Sequence, residues 1–168
     1  VEAESEGEGQ GATFTVRLPL LQSREGNDNR ETRADSELAS CEFPLAGVRI
    51  LVVDDDDPTR EFLAFLLELH GASVLSLASA SGAITKIGVF RPDVLLSDIG
   101  MPDMDGYMLL RQVRALPAEQ GGTVPAIALT AYAGEIDYQQ AMAAGFQRHI
   151  AKPIEPEALI QAITLLLR

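Results

Sequence analysis

The sequence predicts an α/β fold, a doubly wound parallel β-sheet covered by helices on both faces. Two observations predict it: short apolar runs recur from Val48 onward, and each is followed by a segment of helical length. A third is that these runs are apolar throughout instead of alternating, as strands buried on both faces must be. Strands are expected at residues 48–53, 73–77, 94–97, 126–129 and 147–151, and helices at 58–70, 79–89, 106–116, 134–144 and 155–167. Asp57 is expected to cap the first helix, with Pro58 in its first turn and Gly71 closing it, and Gly145 to end the fourth. Right-handed crossovers restrict the topology without fixing strand order.

Composition bounds the rest. A chain of 168 residues, 46% of them hydrophobic, holds one full-sized core plus an appendage. A formal charge of -12 argues against nucleic acid and anionic membrane, since both attract basic surfaces. The lone cysteine, Cys41, cannot form an internal disulfide, and a reducing cytoplasm fits that usage. No run reaches the roughly 20 apolar residues that span a bilayer, so direct membrane contact is not expected. The acidic start at Val1 lacks an initiator Met and reads as the edge of an excised piece. Residues 1–46 hold ten acids and four bases, against fifteen and nine in the remainder. The stretch 21–41 is too poor in large apolar residues to offset ordering entropy, and residues 21–46 are expected to be a flexible linker.

The chemistry gathers at strand ends. Ile50-Leu51-Val52-Val53 runs straight into Asp54-Asp55-Asp56-Asp57, and Val94-Leu95-Leu96-Ser97 delivers Asp98. Acids after a strand also suit a solvated turn and a helix N-terminus, so the first set alone leaves both readings open. In an open parallel sheet, however, ligands bind beyond the carboxyl ends of the strands, where strand order reverses, and both acid sets point there. Neighbouring carboxylates repel unless a hard divalent cation lies between them, which implies a Mg2+ site. The fourth strand adds Thr130 and Ala131, and the fifth adds Lys152 and Pro153. Singly, Lys152 reads as a surface lysine and Thr130 as a strand-end hydroxyl. Together, an aspartate nucleophile, a metal, a hydroxyl and an ammonium suit phosphoryl transfer.

Val52-Val53-Asp54-Asp55, Asp98 with Met101-Pro102-Asp103-Met104-Asp105-Gly106, Leu129-Thr130-Ala131 and Lys152-Pro153 resemble the response-regulator receiver (CheY-like) family of two-component signal transduction, over residues 48–168. The resemblance implies a flavodoxin-like (βα)5 sheet of order 2-1-3-4-5, for which a chemotaxis member of this family is the usual illustration. It implies Asp98 as phosphoacceptor, and Asp55, Asp54 (through water), Asp98 and the Gly100 carbonyl around Mg2+. It further implies Lys152, the Thr130 hydroxyl and the Ala131 N–H on the phosphoryl oxygens, and a cis bond before Pro153. The expected partners are a phosphohistidine-bearing kinase or phosphotransfer domain and a downstream signalling protein, with no nucleic acid. The family's switch aromatic is replaced by His149, expected to change rotamer with Thr130, while Gly100 and Tyr132 stand where the family varies. Two alternatives remain: a receiver fold that only binds partners, and a Mg2+-dependent phosphatase with an aspartate nucleophile.

Beside such a domain, the glycine-rich and then alternating stretch from Gly7 to Pro19 resembles the last strand of a histidine-kinase ATP-binding domain. The implied organisation is a kinase remnant at 1–20, a linker at 21–46 and a receiver at 47–168, cut from a hybrid histidine kinase. Without the kinase motifs this piece is not expected to be a kinase.

Overall fold

A computed structural model describes residues 2–4, 13–15, 43–131 and 134–168. The chain divides into two units, Val1–Thr32 and Arg33–Arg168. In the first, β1 (Glu2–Glu4) pairs antiparallel with β2 (Thr13–Thr15), Ala3 opposite Phe14. A strand at Thr13 agrees with the alternating pattern there, whereas its partner Glu2–Glu4 left no apolar signature. Most of the expected linker, residues 21–42, lies outside the described residues, as does Tyr132.

The second unit alternates strand and helix throughout: β3 (Arg49–Val53), α1 (Asp57–Leu69), β4 (Ser73–Leu77), α2 (Ala80–Phe90), β5 (Val94–Asp98), α3 (Gly106–Arg114), a 3-10 turn (Ala118–Gln120), β6 (Ala126–Thr130), α4 (Glu135–Ala144), β7 (Arg148–Ala151) and α5 (Pro156–Leu166). All pairings in this sheet are parallel, in the order β4-β3-β5-β6-β7, which is 2-1-3-4-5 counted within the unit. The period of two along each strand divides the core. Ile50, Val52, Val94, Leu96, Ile127 and Leu129 face α1 and α5, where Leu63, Leu67, Leu159 and Ile163 bury themselves. Leu51, Val53, Leu95, Ala126 and Ala128 face Ala83, Ile87, Leu109, Leu110 and Ala141 of α2, α3 and α4. Central strands β5 and β6 are buried at every position, which explains their unbroken apolar runs.

Element boundaries differ from expectation for local reasons. The cap of α1 is Asp56, not Asp57: Asp56 is extended and its carboxylate accepts the Thr59 N–H at 3.0 Å, while Asp57 is already helical. β5 and β6 each run one residue further, to Asp98 and Thr130, because Asp98 pairs with Leu129 and Thr130 with Ala151. α3 stops short of Leu116, whose N–H bonds back to Val113 as the chain tightens ahead of Pro117. Gly71 and Gly145 follow α1 and α4 in left-handed conformation, as anticipated. Before β3, Phe43–Gly47 form a turn with Leu45 wholly buried and its N–H donating to the His70 carbonyl at 3.1 Å. The packed body thus takes in residues that composition alone assigns to the linker.

Candidate functional site

β3 sends one connection to β4 on its left and the sheet resumes with β5 on its right, so strand order reverses between the ends of β3 and β5. Asp54 and Asp55 leave the first of these strands and Asp98 ends the second. Oxygens from these three carboxylates lie within 4.8 Å of one another. Asp54 has no exposed surface, Asp98 is 5% exposed, and Asp55 is open to solvent. Lys152, just past β7, reaches over both buried acids, its Nζ 2.9 Å from Asp54 Oδ2 and 2.8 Å from Asp98 Oδ1. Its backbone N–H donates to the Thr130 carbonyl at 2.7 Å, and the Lys152-Pro153 bond is cis, as expected. Thr130 ends β6 fully inside the protein, with Ala131 exposed immediately after it. Gly100 runs beside the same carboxylate, since a Cβ there would lie 3.5 Å from Asp98 Oδ2.

The acid turn is sorted residue by residue. Asp54 Oδ1 accepts the Asp56 N–H at 3.0 Å, Asp56 caps α1, and Asp57 pairs with Arg60. The helix-capping reading therefore describes Asp56, while Asp54 and Asp55 belong to the pocket. Burial raises the Asp54 pKa above the ordinary carboxylate value, against hydrogen bonds from Lys152 and Asp56. For Lys152 burial acts downward, but its bonds to Asp98 and Asp54 more than offset this and raise its pKa. The Thr59 hydrogen bonds lower that of Asp56. Three carboxylates against one ammonium leave net negative charge at a solvent-open, all-oxygen donor set. That chemistry fits a hard cation such as Mg2+.

The sequence reading gave no role to two residues that contact the site's backbone. Gly106 opens α3, and a Cβ there would fall 2.3 Å from the Asp98 carbonyl oxygen, so only glycine lets this helix close against the end of β5. Its signal was present in the Met101–Gly106 motif, but not its reason. Arg60 donates from Nη1 to the Asp54 carbonyl at 2.8 Å, and nothing in its local sequence announces that bond. His149 pairs in register with Ala128, two residues before Ala151 faces Thr130. It is half-buried, its Nε2 has no hydrogen-bond partner, and its ring meets Tyr138 of α4 edge-on at 6.2 Å and 81°.

A doubly wound sheet of this order, with carboxylates at its switch point, is the architecture of signalling receivers. The family model for the response regulator receiver domain matches residues 50–164, and the chain belongs to that family. The receiver domain of a sensor histidine kinase from Pseudomonas aeruginosa PAO1, with a magnesium ion in its active-site cleft, superposes with TM-score 0.66 at 32% identity, over 73% of this chain and 98% of that one. The signal receiver domain of a histidine kinase from Syntrophus aciditrophicus gives TM-score 0.65 at 30% identity, over 72% and 90%. A 14.6 kDa protein of Leptolyngbya boryana is 47% identical over 119 residues, 71% of this chain and 89% of that protein. The DNA-binding response regulator MtrA of Mycolicibacterium smegmatis is 33% identical over 120 residues, 71% of this chain and 50% of MtrA. The chain thus spans about half the length of MtrA and of the transcriptional regulator CseB of Streptomyces coelicolor, of which it covers 49%.

Proposed function

We propose that Asp98 accepts a phosphoryl group from a phosphohistidine, borne by a histidine kinase or phosphotransfer domain, and that the charged site then alters a protein-binding face. The observation that carries this is the junction at the switch point: three carboxylates within 4.8 Å, with the Lys152 ammonium 2.8 Å from Asp98. In the reaction the P–N bond of the donor imidazole breaks, a P–O bond to an Asp98 carboxylate oxygen forms, and the departing imidazole nitrogen takes a proton from water. Lys152 compensates charge on the acceptor and on the phosphoryl oxygens, the Thr130 hydroxyl is drawn to one of those oxygens, and the Ala131 N–H meets another. Asp54, Asp55, Asp98 and the Gly100 carbonyl would hold Mg2+, which when bound supplies positive charge to the transferring group. The surface beside Lys152 suits a protein donor: Phe62, Phe65 and Leu69 are exposed along α1, and Phe62 shares a cleft of about 260 Å³ with Thr59, Lys152, Pro153 and Ile154. An apolar surface ending at the ammonium guides a helical partner towards Asp98.

The wider context in this reading is a hybrid histidine kinase, with residues 1–20 its kinase remnant and 21–42 a tether, acting in the cytoplasm. Similar receiver domains taken from histidine kinases support the kinase context. Among the described residues no helix is long and apolar enough to cross a membrane. The test is incubation with phosphoramidate and Mg2+ followed by mass mapping. One alkali- and hydroxylamine-labile acyl phosphate on Asp98, absent from Asp98→Asn with the fold retained, is the expected result. No label would leave a partner-binding module, and multiple turnover of a phosphomonoester would mark a phosphatase.

A further inference from the structure

Four consecutive carboxylates repel one another, so something must decide which of them face the pocket. Asp54 and Asp55 do, Asp56 and Asp57 do not, and the residue that touches both groups is Arg60. Its side chain is 17% exposed, with Nη1 donating to the Asp54 carbonyl at 2.8 Å and Nη2 paired with Asp57. The carbonyl belongs to the peptide joining Asp54 to Asp55, so fixing it fixes the directions in which the two flanking side chains leave the backbone. The ion pair holds the fourth carboxylate on the helix side. The Asp56 cap on Thr59 sets the first turn of α1, which brings Arg60 back over the peptide it grips.

We infer that Arg60 is a positioning residue of the cation site, clamping the Asp54–Asp55 peptide so that both carboxylates converge with Asp98 on a divalent ion. This rests on the Mg2+ reading above and adds to it a group that contacts neither the ion nor the phosphoryl oxygens. Two roles are open to such a residue, and they differ in sign. As a mere charge, Arg60 repels a cation, and its removal tightens Mg2+ binding. As a clamp, its removal loosens the ligands and weakens binding.

The experiment is Mg2+ titration of the full chain by calorimetry, with two-dimensional amide NMR spectra to establish folding, for wild type, Arg60→Met, Arg60→Lys and Asp57→Asn. Groups that orient metal ligands typically contribute 10–100-fold to affinity, so Arg60→Met is expected to weaken Mg2+ binding about tenfold. Arg60→Lys keeps the charge but cannot grip carbonyl and carboxylate together, and is expected to weaken it severalfold; it also serves if the Met variant unfolds. Asp57→Asn frees one arm of the guanidinium but leaves the carbonyl bond in place, and is expected to weaken binding less than either Arg60 variant. Unchanged or tighter binding in the folded Arg60 variants overturns the clamp while the Mg2+ reading survives. Absence of Mg2+ binding by wild type overturns both.

Discussion

Asp54 carries its carboxylate into the protein with no exposed surface, held between the Asp56 N–H and the Lys152 ammonium. Burial is the largest influence on it and raises its pKa. A carboxyl with a raised folded pKa binds its proton more tightly when folded than when unfolded. Its favourable contribution to stability is therefore present below the ordinary value of 3.8 and is lost as pH rises through the folded value. Asp54→Asn is thus expected to raise the thermal midpoint of metal-free protein at neutral pH, with the gain shrinking as pH falls towards 4. A midpoint that drops at pH 7 would mean that the bond to Lys152 outweighs the burial. At Gly106 the constraint is steric, because an added Cβ collides with the Asp98 carbonyl. Gly106→Ala is expected to lose about 1–3 kcal/mol in urea unfolding, as overpacking does. It should also slow labelling of Asp98, since relief requires the end of β5 to move.

At the scale of elements, α4 is held firmly at one end. Arg114 of α3 donates from Nη2 to the Gly145 carbonyl and from Nη1 to the Gly122 carbonyl, both at 3.0 Å, while Phe146 packs inside. The other end starts at Gly134, which makes no side-chain cap, close after Thr130. If Thr130 moves towards a phosphoryl group, the start of α4 is where the shift is expected, and there Tyr138 lies edge-on to His149. The imidazole Nε2 is buried without a partner, so the inward position is less favoured than for a wholly apolar ring. In NMR spectra with beryllofluoride and Mg2+, His149→Phe is expected to enlarge, and His149→Ala to reduce, the shifts on α4 and β7. Identical shifts in all three proteins would make His149 a bystander, with coupling through Thr130 and the backbone alone.

For the whole molecule, the pocket joins elements that are distant in sequence, so a ligand that binds it stabilises the entire sheet. Mg2+ that binds only the folded chain adds about 2.7 kcal/mol at a hundredfold excess over its dissociation constant. Thermal unfolding should accordingly shift upward with Mg2+ for wild type and scarcely at all for Asp55→Ala. Equal shifts would place the ion elsewhere. Packing defects act through the same sheet: Leu63→Ala, at a fully buried position between α1 and the sheet, is expected to destabilise by about 2–5 kcal/mol in urea unfolding without altering Mg2+ affinity in the folded protein.

The alternation of buried strands and helices, and so the fold class, was legible in the sequence because hydrophobic periodicity is a local property of the chain. The candidate site was legible for a related reason. In a doubly wound sheet every strand ends at the same edge, so Asp54, Asp98, Thr130 and Lys152, each at or just past a strand end, had to gather there. Tertiary structure decided what depends on contacts across the sheet or between neighbouring turns. It chose Asp56 over Asp57 as the cap, gave Asp57 to Arg60, set Arg60 on the Asp54 carbonyl and seated Leu45 in the core. Composition could not separate four identical acids or mark one leucine in a polar stretch as buried. Those outcomes follow from backbone direction and from which neighbour arrives within hydrogen-bonding distance, quantities that exist only once the chain has folded.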